Sequence, residues 1–507
     1  MKNKIVLVTA ISMFLVIAGC KKFLDQKPLT QITADQYFQK SKDITASLAG
    51  MYAAFGEEMT GDGDGQTSMY GGKYHYWGEG RSDNFDRGGY PNNTITELSL
   101  NALTSGNAAA DWTGLYKAIG RANTIIKYVP QVLKSDNSVT QVTVNNALAQ
   151  AYAMRAMCYF YIVRLWGDAP IWTEPYSDIT QTAERARAPK DKVMDSVIIP
   201  DIQNAYNLIQ KNQTANIWYI NEGAIAAIAG DVYLWKKDYA NAISWYQKVF
   251  AAKGATGALY GGASGANLEP AATWKNLFMS PTASIESIWS INWDYATNGC
   301  ACLPVSIQKS NTPIYIDSAI YVDWRKNKAD IRMFQTMDTL GGLNHQDKLK
   351  KYYPTNTTNW TGSNANTLQQ QNVYLVMNRL GDVFLSYAEA LNKTGDVTNA
   401  LRYLNYIRVR AGLPAYIATD PKVATMDDLE DAILDERRYE LFGEGKRWFD
   451  LVRTDHVNKI MDPVLTRRQI KFGTAPTGFG SDKNRTLWPL HRDVLNSNKL
   501  LTQTPSY

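Results

Sequence analysis

Small residues recur at one fixed distance in two separate parts of this 507-residue chain. Gly230 and Ala242 lie twelve positions apart, and Ala388 and Ala400 repeat that distance. Residues without a bulky side chain let two helix backbones approach closely, provided that they lie on facing sides. The spacing therefore predicts two helical hairpins, each made of two antiparallel helices.

The residues between these positions support the same interpretation. Asp238-Tyr239 and Gly395-Asp396 are turn signals within the first and second unit. In the first unit, Tyr233 and Ala242 are also nine positions apart. Twelve and nine are the spacings of the tetratricopeptide helix-turn-helix pattern. Because the two units are far apart in the chain, we expect a helical core interrupted by a long insertion.

Helical periodicity also runs through 35–55, 112–133 and 145–166, and the last of these ends at the stop signal Gly167–Pro170. The fold class that follows is mostly α, with a tetratricopeptide-like helical-pair core, long irregular loop-rich insertions and minor β structure. The predicted divisions are a signal peptide (1–19), a tether (20–34), an N-terminal helical region (35–253) with an aromatic loop (56–110), an irregular insertion (254–370) and a C-terminal helical region on the same core (371–507).

The first twenty residues have the pattern of a secretory signal. Lys2 and Lys4 precede an apolar run, Ile5–Ile17, that is too short to remain as a membrane span. The ending Ile-Ala-Gly-Cys resembles a bacterial lipobox, in which the cysteine is acylated and becomes the new N-terminus. We therefore predict lipidation at Cys20 and anchorage to a membrane through it. The alternative is an ordinary secretory signal that ends near a cysteine.

Net charge excludes one class of function. It is +5 for the whole chain, and loss of Lys2 and Lys4 with the signal leaves about +3. That charge is too weak and too evenly spread for nucleic-acid binding. Cys158 lies in an apolar helical stretch and is predicted to be buried and inert. Cys300 and Cys302 fit either a strained disulfide or two free thiols.

An aromatic and polar cluster in the 56–110 segment predicts a ligand site. Sugar recognition needs flat apolar rings, together with planar Asp, Asn and Arg side chains that bridge neighbouring hydroxyls. The candidate contacts are Tyr74, Trp77, Arg81, Asp83, Asn84, Phe85, Asp86 and Arg87. The alternative is that Trp77 and Phe85 pin the segment to the core. Trp293 and Tyr295, at the end of the strand-like run Ile288–Trp293, form a second candidate patch, for which a core contact is the alternative.

No catalytic or metal-binding motif is recognisable. The histidines His75, His345, His456 and His491 are scattered. Gly261–Gly265 comes closest to a serine-hydrolase elbow but lacks the strand-to-helix setting. The run Asp62–Gly65 begins like a calcium loop, but Lys73 occupies its twelfth position, where an acid is required. We therefore expect no enzyme, no cofactor and no metal site, and the interleaved acids and arginines of 436–453 are predicted to pair structurally.

Several blocks resemble one known family. The most specific are Glu436–Leu441 and Glu444–Arg453. Further matching blocks are Cys20–Asp25 with Pro28, Trp112, Tyr116, Ala122-Asn123, Ile126, Arg155-Ala156, Tyr159-Phe160, Gly167–Pro170, Tyr387–Ala390, Leu404-Asn405, Ile407-Arg408, Arg410–Leu413 and Leu487–Leu490. On these blocks the chain resembles the SusD/RagB family of surface nutrient-binding lipoproteins over nearly its whole length. It departs slightly at the C-terminus, where Leu490-His491 replaces a common Ile-Pro.

The resemblance implies a non-catalytic lipoprotein, anchored in the outer membrane and exposed at the cell surface. It also implies a SusC-like TonB-dependent outer-membrane transporter as partner, to which the protein delivers a bound polysaccharide or oligosaccharide. In that family the loop region around residues 74–87 commonly borders the ligand. Peptide ligands in the same role, or a scaffold that binds only proteins, are the alternatives.

Overall fold

The computed structural model describes residues 34–60, 73–88, 93–176, 180–261, 267–293, 314–337, 349, 351–352 and 373–507. The predicted signal peptide, the Cys20 anchor, Tyr295, Cys300 and Cys302 lie outside the described residues, as does the Asp62–Gly65 run.

Helices occupy most of the described residues, so the mostly α prediction is confirmed. In the N-terminal half they are α1 (Ala34–Tyr37), α2 (Ser41–Thr60), α3 (Lys73–Gly78), α4 (Asn93–Ser99), α5 (Thr113–Tyr128), α6 (Val132–Ser135), α7 (Gln141–Trp166), α8 (Lys190–Val193), α9 (Ile199–Leu208), α10 (Glu222–Trp235) and α11 (Tyr239–Ala251). A π-helical turn, Met194–Ile198, joins α8 to α9.

The later helices are α12 (Asn276–Met279), α13 (Ser318–Lys326), α14 (Ile331–Thr336), α15 (Leu380–Lys393), α16 (Val397–Arg410), α17 (Met426–Glu440), α18 (Arg447–Arg453), α19 (Val457–Lys471) and α20 (Arg492–Ser497). The strands are β1 (Phe85–Arg87), β2 (Ser287–Trp293), β3 (Ile314–Ile316) and β4 (Val373–Arg379). Within the described ranges, no helix is both long enough and apolar enough to cross a bilayer.

The first predicted hairpin is formed by α10 and α11. Asp238 caps α11, since its carboxylate accepts hydrogen bonds from the backbone N of Asn241 (3.3 Å) and from Asn241 Nδ2 (2.7 Å). Gly230 lies against the ring of Tyr246, where a Cβ atom would overlap the ring. Ala242 is fully buried. The small-residue spacing thus predicted this hairpin correctly.

The second hairpin, α15 and α16, repeats the same turn chemistry. Asp396 accepts from the backbone N of Asn399 (3.2 Å) and from its side-chain Nδ2. Gly395 has φ of +86°, a conformation that favours glycine, and it lets the chain reverse between the helices. Ala388 and Ala400 are fully buried, as the spacing requires.

The two hairpins pack on each other although they are far apart in the chain. The ring of Phe250, on α11, stacks on Tyr403 of α16 with centroids 5.9 Å apart and meets the edge of Tyr387 of α15 at 5.2 Å. The insertion between them contributes β2, which pairs antiparallel with β4 at its far boundary. A second ribbon pairs β1 with β3. A continuous hydrophobic core extends from Phe38 to Val494 and includes Cys158, which is buried as predicted.

The prediction of a long loop over 56–110 is wrong in part. Helix α2 continues to Thr60, and α3, β1 and α4 lie within the supposed loop. Its high glycine content suggested irregular structure. The aromatic side chains of α3 are nevertheless buried, and tertiary packing of this kind outweighs weak local propensity.

A buried set of charged side chains joins the second hairpin to the insertion, and we call it the ionic network. It contains five acidic and five basic side chains: Glu286, Asp330, Glu436, Glu440, Glu444, Arg332, Lys351, Arg379, Arg408 and Arg410. Because the charges balance and nearly all are fully buried, each ion depends on its neighbours for compensation.

Glu440 lies at the centre of the ionic network. It contacts Arg379 Nη1 at 2.6 Å and Arg332 Nη1 at 3.1 Å, and it also pairs with Arg410. Burial alone would raise the pKa of Glu440, but the three arginines hold it well below its ordinary value. The prediction that the acids and arginines of 436–453 pair structurally is confirmed.

Substitution of Gly230 tests the close approach of α10 and α11. We expect Gly230→Ala to lower the free energy of unfolding by about 1–3 kcal/mol, because the new methyl group must displace the Tyr246 ring. Gly120→Ala in α5 is the matched control. A Cβ there meets no atom within 4 Å, so alanine should stabilise the helix by about 0.5–1 kcal/mol. Urea unfolding followed by circular dichroism measures both, and equal effects would contradict the packing.

Substitution of Glu440 tests the ionic network. Glu440→Gln keeps the side-chain shape but removes the negative charge that three arginines share. We therefore expect the free energy of unfolding to fall by about 3–5 kcal/mol. Asp323→Asn removes an exposed ion pair with Lys326 and should change stability by less than about 1 kcal/mol. Losses of similar size in the two variants would contradict a central role for Glu440.

Candidate functional site

The aromatic members of the predicted 74–87 site lie in the interior. Trp77 is fully buried, and its Nε1 donates to the carbonyl of Ala109 at 2.8 Å. The hydroxyl of Tyr74 lies 2.6 Å from the carbonyl oxygen of Val376. Phe85 packs against Phe442 with ring centroids 5.2 Å apart. None of these three rings has a face that a ligand can reach.

The charged and polar members are equally engaged with the interior. Arg81 lies over the ring of Trp448 at 4.2 Å. Asp83 pairs with Arg447 at 2.9 Å and with Arg438 at 3.0 Å. Burial alone would raise the pKa of Asp83, but these two arginines lower it well below its ordinary value.

The last three candidates complete the same pattern. The Asn84 side chain donates to Glu79 at 2.9 Å. The Asp86 carboxylate is buried and pairs with Lys471 at 3.2 Å. Arg87 is half-buried, with its guanidinium 3.4 Å from the centroid of the Phe472 ring.

These contacts correct the prediction that the eight side chains face a ligand. They hold the 73–88 segment against the core, as the alternative interpretation of Trp77 and Phe85 required. A buried aromatic cluster and a binding surface contain the same residue types, so composition does not separate them. The charge partners lie more than 350 positions away in the chain, at Arg438 and Arg447.

The second predicted patch lies at an end of the β2–β4 ribbon. Trp293 is the last residue of β2 and is paired with Val373, while Asn292 is opposite Tyr374. The side chain of Trp293 and the whole of Tyr295 lie outside the described residues. Their role as ligand contacts therefore stays a prediction. On the neighbouring strand β4, Tyr374 lies opposite Asn292, which is next to Trp293 in the sequence.

An aromatic pair that sequence reasoning missed lies at this ribbon end. Trp218 packs on Tyr374 with ring centroids 5.3 Å apart and planes tilted by 40°, and both side chains are half-buried. The next residue, Tyr219, is 44% exposed and meets the ring of Tyr52 edge-on. We call Trp218, Tyr219 and Tyr374 the aromatic rim. The high content of Trp and Tyr in the sequence is consistent with an aromatic surface, but it does not indicate which of these residues form it.

The sequence around the rim explains its local shape. Ile217 and Ile220 are buried and anchor the turn, so the two aromatic residues between them point outward. The carbonyl of Ile217 accepts from Ser290 N at 2.9 Å, which ties the turn to β2. Trp218 N donates to Asn216 Oδ1 at 3.1 Å. These two hydrogen bonds fix the backbone of the turn from which Trp218 and Tyr219 project.

The chemistry of the rim is apolar and uncharged. Its rings offer flat faces, and Asn216 and Asn292 are exposed beside them with carboxamide groups. Across the ranges that the structure describes, no cluster of three or more His, Cys, Asp or Glu side chains could hold a metal ion. Such an arrangement suits stacking and neutral hydrogen bonding.

The fold is that of a mostly α protein built on tetratricopeptide-like helical pairs. The model of the SusD family matches residues 227–507, and a second model, described as starch-binding associating with outer membrane, matches residues 22–234. The chain belongs to the SusD family. This confirms the resemblance seen in the sequence.

Known relatives align with nearly the whole chain. A SusD-like protein of Formosa agariphila is 26% identical over 541 aligned residues, which cover 97% of this chain and 96% of the relative. The structure of surface glycan-binding protein A from Bacteroides uniformis is similar with a TM-score of 0.71 and 19% identity, covering 92% and 99% of the two chains. That of a laminarin-binding SusD-like protein has a TM-score of 0.68 and 19% identity, covering 93% and 100%.

A buried histidine tests the packing of the 73–88 segment. His75 Nε2 lies 2.6 Å from the carbonyl oxygen of Gly443, and burial lowers the pKa of His75 from 6.5 to about 3. In the unfolded chain His75 takes up a proton below pH 6.5, whereas the folded protein resists protonation until about pH 3. His75 therefore contributes a loss of stability as the pH falls through this window.

We expect His75→Gln, which can still donate to Gly443, to remove that contribution. The difference in unfolding free energy between pH 7.5 and pH 5 should change by about 2 kcal/mol relative to the unsubstituted protein, in the direction of greater relative stability at pH 5. Urea unfolding at the two pH values measures it. An unchanged difference would show that His75 titrates normally in the folded protein.

Proposed function

We propose that this protein binds glycans at the aromatic rim and delivers them to a SusC-like TonB-dependent transporter in the outer membrane. The observation that carries the proposal is the half-exposed pair Trp218 and Tyr374, which is held ready at the end of the β2–β4 ribbon. The known functions of two structural relatives, one laminarin-binding and one surface glycan-binding, support the same ligand class.

The physical argument rests on complementary surfaces. A sugar ring has an apolar C–H face, which aromatic rings accept, and a ring of hydroxyl groups, which carboxamides such as that of Asn216 bind. Because Ile217 and Ser290 already fix the turn, little conformational entropy is lost when a ligand binds. Binding of this kind needs no catalytic group, and we propose that the protein releases its ligand unchanged.

The proposed lipid anchor at Cys20 gives this binding a place. The description of the family model that matches residues 22–234 includes association with the outer membrane. Anchorage beside a transporter raises the effective concentration of the captured glycan without any further contact. Exposure at the cell surface follows as part of the proposal, because a glycan too large to cross the outer membrane must be captured outside it.

A double substitution tests the rim. We expect Trp218→Ala with Tyr374→Ala to weaken binding of neutral hexasaccharides by about tenfold or more, since two stacking surfaces are lost. Isothermal titration against laminarihexaose, maltohexaose, xylohexaose and mannohexaose measures affinity, and chromatography of the recovered sugars should show them intact. Tyr176→Ala, which removes a 53% exposed tyrosine away from the rim, is the control.

Two results would refute the proposed function. One is failure of the unsubstituted protein to bind any glycan in a wider panel, and the other is equal affinity in the control and the double variant. Shortened sugars in the recovered material would instead show that the protein is an enzyme.

A further inference from the structure

A groove with a mixed apolar and polar lining lies next to the aromatic rim. It runs between α2, the first turns of α7 and the segment 209–222, and its volume is about 330 Å³. Six of its lining side chains supply carboxamide groups, and we call it the amide groove. They are Asn146, Gln150, Gln210, Gln213, Asn216 and Asn221. Tyr219, which also belongs to the rim, forms part of the lining.

The walls of the amide groove are fixed by hydrogen bonds within the protein. The hydroxyl of Tyr52 donates to Gln150 Oε1 at 2.8 Å and accepts from Ile220 N at 2.8 Å. The backbone N of Gln210 donates to Asn146 Oδ1 at 2.8 Å. These bonds tie both helices to the segment 209–222, so the groove exists before any ligand arrives.

Other polar groups of the groove are left for a ligand. The side chains of Thr45, Gln210 and Thr214 are exposed and make no hydrogen bond to another described residue. The Nε2 of Gln213 donates to the carbonyl of Lys211 at 3.0 Å, whereas its side-chain carbonyl oxygen has no hydrogen-bond partner among the described residues. The groove thus offers neutral donors and acceptors in a small space, a set that matches the several hydroxyl groups of a sugar.

Charge argues for a neutral ligand. The lining carries one acidic residue, Glu222, and one basic residue, Lys253. The Glu222 carboxylate is already engaged, because it accepts from the backbone N of Asn212 at 2.8 Å. The larger cavity of about 790 Å³ beside α17 has a different character, since six carboxylates line it against two basic side chains. With one charge of each sign beside six carboxamides, the groove lining carries no net charge, which suits a neutral ligand.

The groove and the rim are joined through two consecutive residues. Trp218 faces Tyr374 at the ribbon end, whereas Tyr219 faces Tyr52 and lines the groove. Their Cα atoms are about 3.8 Å apart, as for any trans peptide. Asn216 and Tyr219 lie at the rim and also line the groove, so the two surfaces are contiguous.

We propose that the amide groove is a second glycan subsite, which takes further neutral sugar residues of the same chain that lies on the aromatic rim. The proposal rests on the proposed function and adds that the ligand is an extended, uncharged oligosaccharide. A peptide that binds by strand addition needs the edge of a sheet for its backbone, whereas helices and a turn form these walls. Peptide binding is therefore the outcome that would overturn the assignment.

The test compares chain lengths in groove variants. The double variant Gln210→Ala with Gln213→Ala removes two carboxamides from the groove lining. The variant Thr45→Trp fills the groove from the side of α2. Neither variant alters Trp218 or Tyr374. We expect both variants to bind the best of the neutral hexasaccharides about tenfold more weakly and the matching disaccharide unchanged, by isothermal titration. Gln141→Ala, an exposed glutamine of α7 outside the groove, is the control.

The outcomes separate the two proposals. Hexasaccharide affinity that is unchanged in both groove variants would overturn the subsite while the rim still binds. Loss of affinity for the disaccharide as well would show that the variants disturb the rim, and would equally overturn a separate subsite. A neutral hexapeptide that binds the unsubstituted protein, and binds the groove variants more weakly, would replace the glycan by a peptide. If no neutral glycan binds at all, the proposed function fails, and the subsite fails with it.

Discussion

The arrangement of the insertion on the core depends on the contacts of Glu440 with Arg379, Arg332 and Arg410. Arg379 is the last residue of β4, and Glu286, which pairs with it at 2.6 Å, immediately precedes β2. The ionic network therefore clamps one end of the β2–β4 ribbon. The opposite end carries the aromatic rim, at a distance of about 20 Å for strands of seven residues. The ribbon therefore connects the buried ionic network to the aromatic rim.

Buried ion pairs are weak evidence for stability, because desolvation offsets most of the attraction between the charges. Their clearer effect here is on register. The β2–β4 pairing contains irregularities between Ser287 and Ser290, so the strands alone do not define their alignment firmly. A slip of one residue would turn every side chain to the other face. Such a slip would separate Arg379 from its carboxylate partners and Tyr374 from Trp218. Because the buried Arg379 would lose its ion pairs, the ionic network opposes the slip.

The hairpins could be predicted from sequence because their determinants are local. The spacing of Gly230 and Ala242 and the turn at Asp238 lie within one unit of the chain, and both were found where expected. The proposed binding surface could not be predicted in the same way. Trp218 and Tyr374 are 156 positions apart and meet only after the insertion has folded back. The prediction of a ligand site in the 74–87 cluster failed for the same reason. Arg447 and Arg438, which pair with Asp83 in the interior, come from the other end of the chain.

Charge and neutrality are separated in space in this molecule. The charged side chains around Glu440 are buried, and their directional contacts fix the position of the β2–β4 ribbon. At the rim and in the amide groove, rings, hydroxyls and carboxamides predominate, as at Tyr219 and Gln210, and the two charged residues of the lining, Glu222 and Lys253, are of opposite sign. A surface without net charge gives little long-range attraction, so in the proposed function selection among ligands depends on shape and on the number of hydrogen bonds that are satisfied at once. A long neutral chain meets that requirement better than a short one, because each added ring contributes contacts after the cost of association has been met.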